Sequence, residues 1–209
     1  MDREKVTKIL QKLSIAIPNP KTELHYDSVF ELLIAVLLSA HTTDKSVNQA
    51  TASLFKIANT PSKMLALGEN ELKKYINNIG LYNAKSANVI KTCKILVDKY
   101  QSRIPDTREE LEQLPGVGRK TANVVLNVAF NQPTIAVDTH IFRVANRTKM
   151  AEGKNPFEVE QKLLACVPEN FLKVAHHLLI LHGKYVCKAK KPLCRECVIR
   201  DLCEYEDKE

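Results

Sequence analysis

Apolar residues recur every three or four positions along nearly the whole chain, the spacing that gathers them on one face of an α-helix. The run VFELLIAVLLSA after Ser28 is apolar on most faces, which predicts a helix capped by the Ser28 side chain and buried all round. Residues 46–58, 62–67 and 69–77 carry the same period, with Pro61 and Gly68 as breaks. So do residues 84–99, 107–113, 119–130, 139–148, 156–166 and 170–182. Alternating β-branched runs are absent, and the segment TIAV at 134–137 is the one short candidate strand. The expectation is an all-α protein.

With 209 residues the chain can bury a sizeable core in one or two domains. Hydrophobic residues make up 44% and charged ones 26%, a balance that excludes disorder as the dominant state. Around the strongest apolar run the uncharged stretch reaches only from Leu32 to Thr43. That is shorter than the ~20 residues a membrane-spanning helix needs. The opening MDREKVTKIL mixes both charge signs and lacks the apolar stretch of a secretory leader, so a cytoplasmic protein with no membrane association is expected.

Charge changes the picture more. The net charge is +7, and from Lys184 to Arg195 there are five positive residues and no acidic one. A concentrated basic segment is the electrostatic footprint of a phosphate-backbone contact. In the same region Cys187, Cys194, Cys197 and Cys203 follow the pattern C-x6-C-x2-C-x5-C, while Cys93 and Cys166 stand apart. In a reducing compartment, clustered thiols hold metal more often than they form disulfides. Four thiolates suit either zinc or a [4Fe–4S] cluster, and spacing alone does not choose between them.

Glycine is scarce, with only six in the chain, yet Gly116 and Gly118 sit two apart in LPGVGRKTA. Pro115 fixes its own φ and disfavours helix at Leu114, so the preceding helix stops there. The glycines can take positive φ and keep the surface free of Cβ atoms, so backbone N–H groups can meet a phosphate oxygen. A helix starting near Arg119 adds the positive end of its dipole. A plain corner between two helices would use the same glycines. A weak echo of this segment, running from Leu114 to Lys120, occurs at Ile79-Gly80-Leu81-Tyr82-Asn83-Ala84-Lys85.

Lys120 and Asp138 are the candidate chemistry beside this hairpin. A helix over 119–130 followed by a turn at Pro133 leaves Asn131–Asp138 free to extend up to ~26 Å at ~3.3 Å per residue, enough to bring Asp138 back beside Lys120. A lysine amine can attack an electrophilic sugar carbon, as Schiff-base enzymes do. Asp138, immediately before THIFRVANR, also reads as a helix N-cap.

The segments LPGVGRKTANVVLNVAF and PTIAVDTHIFRVANR together closely resemble the helix-hairpin-helix DNA glycosylases, in their endonuclease III branch. LSAHTTDKSVN, NIGLYNAKSANVI, LILHGKYVCKAKKPLCREC and the final CEY extend the resemblance over almost the whole chain. It implies a two-lobed fold, with residues 22–132 as a helical core and residues 1–21 joined to 133–209 as a cluster-bearing lobe. The active site would lie between the lobes. Lys120 would be the nucleophile and Asp138 the essential carboxylate, and Leu114, Gly116, Gly118 and Arg119 would form the DNA-gripping hairpin.

The same resemblance implies a [4Fe–4S] cluster on Cys187, Cys194, Cys197 and Cys203, presenting Lys190 and Lys191 to phosphates. A base flipped from the stack would leave a gap for His41 and Leu81; His41 departs from the Gln usual in the family. The implied activity is excision of oxidised or reduced pyrimidines from double-stranded DNA, with nicking 3′ to the abasic site, by a monomer associated with the nucleoid. An adenine-mismatch glycosylase is the nearest rival. That branch lacks the lysine and carries a further C-terminal domain, so Lys120 and an end at Glu209 count against it. A non-catalytic DNA-binding module is the rival of another class.

Overall fold

The computed structural model describes residues 2–208 and is helical throughout, with no strand among the described residues. The helices run in order α1 (Arg3–Ala16), α2 (Val29–Leu38), α3 (Asp44–Ile57), α4 (Pro61–Tyr75) and α5 (Tyr82–Tyr100). Then follow α6 (Arg108–Leu111), α7 (Arg119–Phe130), α8 (Thr139–Arg147), α9 (Pro156–Cys166) and α10 (Glu169–Tyr185), with a one-turn 3-10 helix at Cys194–Glu196. The candidate strand is instead non-helical chain leading into α8, with Thr134, Ile135, Ala136 and Val137 buried. Those β-branched residues fill a core rather than a sheet.

The chain divides into two compact units, Glu23–Phe130 and the discontinuous pair Met1–Thr22 with Asn131–Glu209. In the first, α2 is the buried centre: every residue from Phe30 to Leu38 is buried, and α3, α5 and α7 pack around it. The Ser28 hydroxyl accepts from Glu31 N at 3.2 Å, while the Glu31 carboxylate accepts from Asp27 N at 2.6 Å. This reciprocal cap also explains how a glutamate is tolerated inside. The two short segments expected at 62–67 and 69–77 meet in α4, where Gly68 (φ 79, ψ 164) breaks the helical path.

In the second unit α10 packs against α8 and α1. Val6, Ile9, Leu10 and Leu13 of α1 join Ile141, Val144, Leu178, Leu179 and Ile199 in one core. Lys5 meets Glu204 at 2.6 Å and Lys12 meets Asp201 at 2.7 Å, tying α1 to the cysteine segment. Both pairs are solvent-screened, so apolar burial carries the association. Helix α1 lies outside the segments expected from periodicity.

Candidate active site and cysteine pocket

The glycine hairpin joins α6 to α7. Thr107 caps α6 by accepting from Glu110 N at 3.4 Å, and Arg108 Nε donates to Asn123 Oδ1 at 3.0 Å, stapling the short helix to α7. Thr92 Oγ1 donates to the Pro115 carbonyl at 3.1 Å and fixes the turn from α5. Gly116 has φ +81, and a Cβ there would stand 2.8 Å from Asn88 Nδ2. Both conformation and space demand glycine at this position.

Gly118 departs from the expectation. Its φ is not in the left-handed region, and a Cβ there would meet nothing within 4 Å. Fold geometry does not require glycine at 118; what it preserves is bare backbone at the start of α7. The first turn of a helix offers N–H groups without intrahelical acceptors, and here Gly118 and Lys120 are exposed while Arg119 is partly so. Leu114 has a different place: its side chain is buried, its N–H donates to Leu111 O and its carbonyl accepts from Val117 N. It anchors the turn from within.

Asp138 caps α8. Its Oδ1 accepts from His140 N at 2.9 Å and from Ile141 N at 2.8 Å, so the carboxylate is held rigidly while remaining partly exposed. Lys120 belongs to the unit Glu23–Phe130 and Asp138 to the other. His41 and Leu81 are both exposed at the apices of turns, and both have left-handed backbones, φ 55 and φ 60. Their turns adjoin, with the His41 carbonyl 3.8 Å from where a Gly80 Cβ would stand.

Cys187, Cys194, Cys197 and Cys203 line a single pocket with His182, Val186, Leu193 and Ile199. All six cysteines are free thiols. Burial, reinforced by the neighbouring thiols, pushes Cys197 and Cys203 above the usual thiol range. Their proximity without disulfide bonds, inside an apolar wall, fits a group that takes them as thiolates. Among the described residues, no three His, Cys, Asp or Glu are arranged to hold a single metal ion.

The residues around this pocket were not legible in the cysteine spacing. Arg147 Nη1 donates to the Lys188 carbonyl at 2.6 Å and Nη2 to the Ala189 carbonyl at 3.0 Å. Arg143 Nε donates to the Cys187 carbonyl at 2.8 Å and Nη2 to the Gly183 carbonyl at 2.7 Å. Helix α8, capped by Asp138, thus holds the chain on which Lys190 and Lys191 lie, both exposed. Two arginines four apart on one helix, at positions 143 and 147, were the available signal. Burial drives His182 down to about 4, leaving a neutral ring whose Nε2 is 3.8 Å from Cys197 Sγ.

This helical architecture is shared with known proteins. Residues 34–169 match the family model described as HhH-GPD superfamily base excision DNA repair protein, and the chain belongs to that superfamily. It is 59% identical over 208 residues to Endonuclease III of Escherichia coli (strain K12), covering 100% of this chain and 99% of the relative. Identity to Endonuclease III of Haemophilus influenzae is 58%, with the same coverage. A solved structure of a trapped endonuclease III–DNA covalent intermediate, an estranged-adenine complex, superposes with TM-score 0.92 at 42% identity over 97% of this chain and 96% of that one. A thermostable thymine-DNA glycosylase shares the fold, with TM-score 0.86 at 23% identity and coverage of 97% and 96%. Within the superfamily, identity at this level over full length makes endonuclease III the family to which the chain belongs. The protein is a DNA glycosylase and abasic-site lyase of base excision repair.

Proposed function

We propose that the chain removes oxidised or reduced pyrimidines from double-stranded DNA with Lys120 as nucleophile and Asp138 as the assisting carboxylate. The observation that carries this reading is the exposure of Lys120 in the first turn of α7, directly behind the Gly116 hairpin. The hairpin backbone grips a phosphate without reading sequence. The damaged nucleotide leaves the stack, because its sugar bond cannot be reached inside the duplex. His41 and Leu81 fill the gap. As the base departs with the glycosidic electron pair, Asp138 stabilises the positive charge growing on the deoxyribose.

The Lys120 amine then bonds to C1′ and loses a proton, and the sugar ring opens to an imine. Loss of a proton from C2′ breaks the C3′–O3′ bond, which cuts the strand 3′ to the abasic site. Water hydrolyses the imine and frees the amine. Each step needs a lysine reachable by the sugar and a carboxylate that does not swing away. The double hydrogen bond to Asp138 Oδ1 supplies that rigidity.

Cys187, Cys194, Cys197 and Cys203 would hold a [4Fe–4S] cluster. Four free thiols lining one pocket form a tetrathiolate donor set, and the endonuclease III resemblance favours the cluster over zinc. When bound, the cluster supplies four iron–thiolate bonds that cross-link the segment carrying Lys190 and Lys191, the residues we assign to phosphate contact.

Borohydride trapping on an abasic duplex tests the assignment. Lys120→Gln should retain DNA binding but form no covalent adduct, and strand nicking should fall by orders of magnitude. Asp138→Asn should keep the amine and slow base release. Undiminished trapping by Lys120→Gln would mean that another amine attacks.

A further inference from the structure

Lys85 is a lysine almost without solvent contact, 6% exposed, in the first turn of α5. Its ammonium donates to the Leu38 carbonyl at 2.9 Å, the Ala40 carbonyl at 2.6 Å and Thr42 Oγ1 at 3.0 Å. All three ammonium hydrogens are thereby committed, and two of the acceptors flank His41 directly. Leu38 ends α2, so the charge also closes the negative end of that helix dipole. Burial lowers the Lys85 pKa below the usual lysine range, a cost that its three hydrogen bonds offset.

The same residue reaches the second turn through its backbone. Lys85 N donates to the Leu81 carbonyl at 3.0 Å, the first hydrogen bond of α5. His41 (φ 55) and Leu81 (φ 60) both occupy the left-handed region, which disfavours residues other than glycine. Such conformations persist only where surrounding bonds over-determine them. Lys85 provides bonds on both sides of His41 and one at Leu81.

We propose that Lys85 is a positioning residue that holds His41 and Leu81 at their exposed apices before DNA arrives. A preformed pair of side chains enters the stack without losing its own conformational freedom at that moment. This rests on the reading of His41 and Leu81 as the residues that fill the gap in the duplex.

The experiment compares Lys85→Met, which keeps the apolar stem and removes the donors, with wild type on duplex and single-stranded substrates. Excision from a damaged duplex should fall between about tenfold and a hundredfold, as for misplaced positioning groups. Borohydride trapping on a single-stranded abasic oligonucleotide, which has no gap to fill, should stay within about twofold of wild type. In a His41→Ala, Leu81→Ala background, Lys85→Met should cost less than about a further twofold, because its effect passes through those residues. Thr42→Val, which deletes one acceptor and leaves the lysine, should give the same pattern more weakly and decides the matter if Lys85→Met does not fold. Equal losses on duplex and single strand, or full multiplication with the two alanine changes, would overturn the proposal. Wild-type duplex activity of His41→Ala, Leu81→Ala alone would instead remove the insertion reading, and this role for Lys85 with it.

Discussion

Arg147 Nη1 stands 3.6 Å from the Cys187 sulfur while the same guanidinium holds the Lys188 and Ala189 carbonyls and lies 4.5 Å from the Tyr205 ring centroid. One side chain therefore orders the first cysteine and the first residues of the basic segment. Replacing Arg147 with Met should loosen residues 188–191, with a loss of about 1–3 kcal/mol from charged hydrogen bonds. Faster trypsin cleavage after Lys188 and Lys190 is the expected readout; an unchanged digestion rate would assign the ordering elsewhere.

The two hairpin glycines should behave differently. Gly116→Ala meets both positive φ and Asn88, and should destabilise the protein by about 1–3 kcal/mol. Gly118→Ala meets neither, so its thermal midpoint should stay near that of wild type while duplex affinity drops, because the methyl covers backbone that we assign to phosphate contact. Melting curves beside binding titrations separate the two, and equal stability losses would contradict the assignment.

Much of this arrangement is readable from residues alone. Ser28 and the apolar run behind it specify α2, Pro115 ends one helix, and four cysteines at metal-ligand spacing do share a pocket. Helix α1 is not readable in the same way, although Val6, Ile9, Leu10 and Leu13 repeat at helical spacing; five of its fourteen residues are charged, and packing on α10 gives the apolar face its purpose. Nor is the fate of the two lysines in the echoed segments. Lys85 and Lys120 hold matching positions after similar turns, yet one is buried and the other exposed. The carbonyls that draw Lys85 inward belong to residues more than forty positions earlier, and only tertiary structure brings them together.

His177 carries a pH consequence. Burial lowers its pKa from 6.5 to about 4, so below pH 6.5 the unfolded chain binds a proton that the folded one refuses. Its contribution to stability is complete above pH 6.5 and declines as the pH falls towards 4. Between pH 8 and pH 5 this group alone should cost ~2 kcal/mol. Urea unfolding of wild type and His177→Gln across that range should show a shallower acid slope in the variant; parallel slopes would exclude His177 as a source.

Cys93 should be chemically silent in the native protein. It is fully buried against α5's neighbours, and burial pushes its thiol up to about 12. At pH 8 the thiolate that alkylates is almost absent, and the sulfur is covered as well. Iodoacetamide followed by peptide mass analysis should leave Cys93 unmodified until denaturant is added. Labelling at native-state speed would mean the core opens there.

The discontinuity of the second unit sets an order of assembly. Glu23–Phe130 is one uninterrupted stretch and can close on itself as soon as the ribosome has delivered it, since domains fold as units during synthesis. Helix α1, although synthesised earlier, has no apolar partner until α8, α10 and Ile199 arrive. The apolar residues of the α1 segment thus lack their native cover through most of translation, and the cysteine segment that completes the unit is also what ends that exposure. Completion of the cysteine pocket and shelter of the N-terminal segment fall together, late in the making of the molecule.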